Sequence, residues 1–225
     1  MLSDYQTLVT DFVRDDAGKI STGQRDGAIA AAVERYSEAR PVEKAADIAG
    51  ASGNSIALPT GWESGFSDLK SLEYPVGRVP PTYLESDAYA LYLGTGGLSI
   101  MLLSALPAGS TVRAVFTVHH QLTTLVDSIP LRHREAVAKF ASASLCDQLA
   151  ALYANDTDST IGAGMVQGQT KSQAYAARAR DYRKQYQDAV GVTDKTMQPA
   201  SAVATLRPRD ARGQPFLYHP PGLRP

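Results

Sequence analysis

The stretch YALYLGTGGLSIMLLSALPAGSTVRAVFTVH, residues 89–119, decides the fold class, because it interrupts a helical chain with three runs of strand character. Tyr89–Leu93 and Leu98–Leu103 flank the glycine-rich GTGG at 94–97, and LPAGS at 106–110 separates the second run from Thr111–His119. Strands joined by so short a glycine-rich segment read as a hairpin, not as a phosphate cradle, which would need a helix after it. In the last run, alternation sets Val112, Ala114, Phe116 and Val118 on one face and Arg113, Val115, Thr117 and His119 on the other. The three runs predict an antiparallel meander with one apolar face.

Upstream, residues 44–49 and 54–58 flank GASGN and predict a further hairpin. Trp62, Phe66, Leu69 and Leu72 anchor a loop before a short strand at 72–74, and Pro75, Pro80 and Pro81 keep the chain extended after it.

Both ends of this β-rich part are flanked by helical periodicity. Ser3 with Gln6 predicts a capping box, and Tyr5, Leu8, Val9, Phe12 and Val13 form one stripe that Asp15, Asp16 and Gly18 end. Ser21 with Gln24 repeats the box before Ile29, Val33 and Tyr36, and Pro41 stops that helix. Beyond Pro130, the residues Val137, Phe140, Ala141, Ser144, Leu145, Leu149 and Leu152 predict a long core helix. A last helix spans about 168–190, with Tyr175, Ala179, Tyr182, Tyr186 and Val190 on one side and Gly191 closing it. The expected fold is α+β: a four-helix bundle from 1–41 and 130–191, an antiparallel β insertion at 42–129 between its second and third helices, and an extended C-terminal arm at 192–225. That arm holds six prolines and no helical stripe, so it is expected to order only against a partner.

With 225 residues, 44% of them hydrophobic, the chain can bury one sizeable core. Its formal net charge of −1 gives no global pull toward nucleic acid or a membrane surface. The single cysteine, Cys146, excludes a disulfide framework and a thiol-based zinc site, and a reducing cytosol is the expected compartment. No signal peptide or membrane-spanning run is read from the sequence.

Two motifs invite a catalytic or metal reading. Asp156, Asp158 and Thr160 in NDTDSTIGAG, 155–164, fit the D-x-D-x-T opening of haloacid-dehalogenase-type phosphohydrolases. That nucleophile belongs at the end of a buried parallel strand, whereas here LCDQLAALYA before it has helical spacing. A calcium loop would need Gly at its sixth position and Glu at its twelfth, where Ile161 and Gln167 stand. A polar joint between two helices is the reading that remains. His119 and His120 are adjacent on a strand and so point to opposite faces, and no His-x-x-x-His pair supplies a metal site. No catalytic residue, metal ligand or cofactor site is predicted.

The order of these parts and their wording resemble the head-tail connector, or adaptor, proteins of tailed bacteriophages. The resemblance rests on LVTDFVRDDAGKISTGQRDGAIAAAVERYSEARP, on SLEYPVGRVPPTYLE with LSIMLLSALPAGSTVRAVFTVHH, and on SLCDQLAALYANDTDSTI through KSQAYAARARDYRKQYQ. It implies a non-enzymatic virion protein of the neck, assembled in the bacterial cytoplasm. Its copies, about twelve, would close a ring beneath the portal through head-to-tail contacts. The ring would extend the DNA channel, pass genomic DNA non-specifically and offer a docking site to a tail-terminator or other tail-side neck protein. In that setting the arm is expected to bind the portal through Arg207, Arg209 and Arg212, with Phe216, Leu217 and Tyr218 as apolar anchors. A tail terminator or other head-completion protein is the alternative; the phosphohydrolase using Asp156 and Asp158 is a remote one.

Overall fold

The computed structural model describes residues 1–15, 17–50, 53–154 and 171–191. Met1–Gly191 forms one compact unit; a second unit, Val192–Pro225, lies outside the described residues. Among the described residues the architecture is α+β, with four helices and two three-stranded antiparallel sheets.

Helix α1 (Leu2–Val13) buries Tyr5, Val9 and Val13. Its N-terminus differs from the expected one. Met1 takes the N-cap position with no side-chain cap hydrogen bond, and Ser3 lies inside the first turn. Asp4 takes the Met1 ammonium at 2.9 Å, so a charge pair supplants the Ser3–Gln6 arrangement. Helix α2 (Thr22–Ala39) starts as its sequence predicts: Ser21 Oγ accepts from the Gln24 N–H, and Gln24 Oε1 accepts from the Ser21 N–H.

Helix α3 (Leu131–Tyr153) is the centre of the helical part, packed by α1, α2 and α4 (Lys171–Val190). Surrounded in this way, it buries more than one stripe: Val137, Ala141, Leu145 and Leu149, but also Ala138, Ser142 and Cys146. The small residues at 141–144 let its neighbours approach. Leu152, predicted on the stripe, is exposed near the end of the helix. Helix ends are tied by long side chains. Arg40 donates from Nε and Nη2 to the Val190 carbonyl at 2.9 and 2.7 Å, and Arg178 Nη1 donates to the Val13 carbonyl at 3.2 Å. Cations at these C-termini also oppose the helix dipole.

The β part departs from the predicted connectivity. Strands β1 (Val42–Ala49), β6 (Thr111–Val118) and β3 (Leu69–Glu73) form one sheet in the order β1-β6-β3. Strands β2 (Gly53–Ile56), β5 (Gly97–Leu106) and β4 (Tyr89–Gly94) form the other, in the order β2-β5-β4. The hairpin of Tyr89–Leu93 with Leu98–Leu103 is present, closed by the pair Gly94↔Gly97. The expected meander is not, because β5 and β6 belong to different sheets. The expected hairpin around GASGN fails for the same reason: β1 pairs β6 and β2 pairs β5.

A shared core explains this arrangement. Ile48, Leu72, Val112 and Ala114 from the first sheet meet Ile56, Ile100, Leu102 and Leu106 from the second, each face covering the other. Beside the segment 106–111, where the chain crosses between the layers, Gly50 N–H donates to the Ser110 carbonyl at 2.8 Å.

Candidate interaction surface

The shared core covers only part of the second sheet. Toward the Gly94–Gly97 turn the β4–β5 hairpin runs past it, so Leu91 and Leu93, on the core-facing side, stand open to solvent. Leu93 is 76% exposed. On the opposite face Tyr92, Met101 and Leu103 are exposed as well, Leu103 at 75%. Residues one apart on a strand point to opposite faces, so both faces of the hairpin present apolar side chains. Exposed apolar side chains grouped on one hairpin mark an interaction site more often than a solitary exposed leucine does.

Charge sets this sheet apart from its neighbour. No Asp, Glu, Lys or Arg occurs from Ala88 to Val112, nor from Ile48 to Trp62, so β2, β4 and β5 are free of charged residues. The first sheet instead carries Glu43, Lys44, Asp47, Lys70, Glu73 and Arg113. Arg113 there pairs Asp47 through two hydrogen bonds of 2.7 and 3.1 Å and approaches Glu73 at 3.5 Å. The hydrogen bonds from Arg113 hold the Asp47 carboxyl below its usual range.

The two adjacent histidines, expected on the strand, lie just past the end of β6 and bond to different partners. His119 donates its backbone N–H and its Nδ1 to Glu63 Oε2 at 2.8 and 2.6 Å, and its ring stacks on Phe66. Burial works against the Glu63 charge, but these hydrogen bonds outweigh it and lower its pKa. His120 turns toward α2, with Nε2 2.8 Å from the Arg40 carbonyl, while its backbone N–H donates to Ser37 Oγ. Behind it, buried Tyr36 and His133 meet through a 2.6 Å contact between the hydroxyl and Nδ1. This cluster joins α2, the start of α3 and the end of β6. It holds the helical and β parts together, and every polar atom in it named here has a partner. Among the described residues, no three His, Cys, Asp or Glu side chains converge as metal ligands, and no helix is long and apolar enough to cross a membrane.

Arg207, Arg209, Arg212, Phe216, Leu217 and Tyr218 lie outside the described residues, as do Asp156 and Asp158. The hairpin side chains were not singled out from the sequence. A signal for them was present in the long charge-free run beside glycines.

No family model matches the chain, and no curated protein does. Among solved structures it is similar to a chain in the neck of an empty gene transfer agent particle with C6 symmetry, at 18% identity over 78% of this chain and 88% of that one, with a TM-score of 0.27. A chain in the neck of a native gene transfer agent particle with C12 symmetry gives 15% identity over 79% and 90%, TM-score 0.26. A chain of the virion of a native gene transfer agent particle gives 16% identity over 79% and 88%, TM-score 0.28. At these TM-scores the functional reading rests on the chain's own residues.

Proposed function

We propose that this chain is a non-enzymatic structural protein of the neck of a tailed, phage-like particle: a head-to-tail adaptor whose copies form a ring under the portal. The observation that carries the reading is the order of its parts. Two helices, a β-rich segment, two more helices and a proline-rich basic tail follow one another with the wording of that family. The order α1-α2, six strands, α3-α4 among the described residues is consistent with it.

In this reading residues 1–41 and 130–191 build a helical bundle as the ring body, 42–129 face a neighbouring subunit or the tail, and 192–225 dock on the portal. Arg207, Arg209 and Arg212 would meet acidic portal surface with a strength that falls as salt rises, and Phe216, Leu217 and Tyr218 would anchor the contact. The ring would continue the DNA channel and receive a tail-side neck protein. No catalytic step is assigned.

The test is a truncation after Gly191. The shortened chain should melt like the intact one yet fail to join portal-bearing heads, leaving heads without tails. Normal joining by the truncated chain would remove the docking role of 192–225, and unfolding would show that this segment belongs to the core.

A further inference from the structure

One face of α2 is left open beside the segment that follows β6, forming a cleft of about 380 Å³. Hydrocarbon from Ile29, Ala30 and Val33 lines it, together with Leu2 and Leu122. Two carboxylates border the same cleft, Asp26 and Glu34. Glu34 is exposed and makes no ion pair among the described residues. Asp26 takes Gln6 Nε2 on Oδ1 at 2.8 Å, with Arg25 Nε 3.6 Å from that oxygen, and keeps Oδ2.

The other polar side chains of the cleft have no hydrogen left to offer. Ser37 Oγ donates to the Val33 carbonyl at 2.8 Å. In the neutral tautomer that the Arg40 carbonyl selects, His120 donates its one ring hydrogen from Nε2. His119 spends its Nδ1 hydrogen on Glu63, which leaves Nε2 of the neutral ring an acceptor. The open polar atoms are therefore acceptors, and two of the groups are anionic. A ligand with a hydrocarbon body and donor-only polar ends matches them, and an ammonium group is such an end.

Spacing along the helix narrows the class. Asp26 and Glu34 are eight residues apart on α2, which separates them by about 12 Å along its axis. One metal ion cannot reach both, since oxygen ligands lie within about 2.6 Å of even a calcium ion. An extended molecule with a cation at each end can. We propose that this cleft binds a linear aliphatic polyamine, its methylene groups on Ile29, Ala30 and Val33 and its terminal ammonium groups at Asp26 and Glu34. Extended spermidine spans about 11 Å between its end nitrogens, at roughly 1.5 Å per bond along a zigzag chain, whereas 1,4-diaminobutane spans only about 6 Å. The cleft also has the size of a small-ligand pocket, about 300–1,000 Å³. Its walls come from α1, α2 and the segment after β6, so a bound polyamine ties the three together and raises the melting temperature.

The test is a spermidine titration of the full-length chain at low salt, followed by backbone amide NMR shifts and by melting temperature. Saturable binding should move the amides of 26–34 and 119–122 and raise the melting temperature. Glu34→Gln should weaken spermidine by about threefold or more, the scale of one exposed charge pair, and 1,4-diaminobutane and magnesium should each bind the native chain more weakly by the same margin. Glu135→Gln, on α3 and paired with Lys139, should change nothing. Ala30→Arg, at an exposed helix position, lays a cation of the chain's own across the cleft and should abolish binding while the ligand-free variant melts like the native chain. Should that variant not fold, Glu34→Gln decides alone. Absence of saturable binding, native affinity in Glu34→Gln, or magnesium binding as tightly as spermidine would overturn the site. Equal affinity for 1,4-diaminobutane would overturn the two-ended fit, and a trilysine peptide binding more tightly than spermidine would give the cleft to a protein segment instead.

Discussion

Tyr36→Phe removes one oxygen from the joint between the helical and β parts, and its cost follows from what that oxygen touches. The hydroxyl lies 2.6 Å from His133 Nδ1, both residues are buried, and the Tyr36 and His120 rings pack 4.8 Å apart. Burial raises the Tyr36 pKa, so the phenol keeps its proton and donates. In the Nε2–H tautomer, neutral His133 accepts this bond at Nδ1. Burial lowers its pKa first, and the nearby Arg132, Arg40 and His120 add to that effect. Without the hydroxyl, Nδ1 is left buried with no donor, which costs about 1–3 kcal/mol. That is a sizeable part of the roughly 5–15 kcal/mol that holds a domain together. The same geometry fixes a pH dependence. A histidine whose folded pKa is depressed binds more protons unfolded than folded, so stability falls as pH drops below the ordinary value of 6.5, until the folded pKa is reached. One such group gives a slope of at most about 1.4 kcal/mol per pH unit. Glu63 and Asp47 have lowered pKa values, so their contribution is lost only as pH falls below their ordinary 4.5 and 3.8, a separate window. Urea titrations between about pH 7.5 and pH 5 should show the slope in the native chain and a flatter one in His133→Asn. A native stability flat across that range, or a Tyr36→Phe cost below about 0.5 kcal/mol, would refute the buried neutral acceptor.

Leu145→Ala, at a fully buried site at the centre of α3, should cost about 2–5 kcal/mol in a denaturant titration. Cys146, on the same helix, should resist thiol reagents at neutral pH in the folded chain and react only on unfolding; fast labelling under native conditions would place that face of α3 outward. Gly50→Ala should destabilise by about 1–3 kcal/mol, because the added carbon would lie 2.5 Å from Ser110 Oγ and 3.2 Å from its carbonyl oxygen. Ser110 Oγ is held by its bond to the Pro107 carbonyl, so it cannot swing away without loss, and a melting temperature equal to the native one would show that this corner is slack.

The helices were legible because each states its own boundaries. Ser21 and Gln24 cap α2, Pro41 follows its end, and Gly191 takes the positive φ that closes α4. The buried faces of α1 and β6 followed from spacing alone: Tyr5, Val9 and Val13 in one, Val112, Ala114, Phe116 and Val118 in the other. Strand period reports which face of a strand is apolar, but the start of α1 lies two residues before the Ser3 cap signal. Met1, not Ser3, holds the N-cap position, with its ammonium 2.9 Å from the Asp4 carboxylate.

Strand partners are not written in a strand's period, and this is where the reading from sequence failed. Two β runs separated by LPAGS pair as neighbours in a meander when one sheet can bury its apolar face on something else. Here β5 buries Ile100, Leu102 and Leu106, and β6 buries Val112 and Ala114; in a single sheet these would need a third element to cover them. Splitting the strands between two layers lets the two sets cover each other, and the corner at 106–111 costs only a short loop. The same division has a second consequence. β5, with ten residues, is longer than β1 or β6, with eight each, and the turn end of β5 lies beyond the shared core together with the turn end of β4, whose Tyr89 still packs on it. The stretch left uncovered, Leu91–Leu93 and the turn beyond it, is therefore a direct product of the layer arrangement. It carries no charge to keep it solvated, and its apolar side chains stand open because neither layer reaches over them.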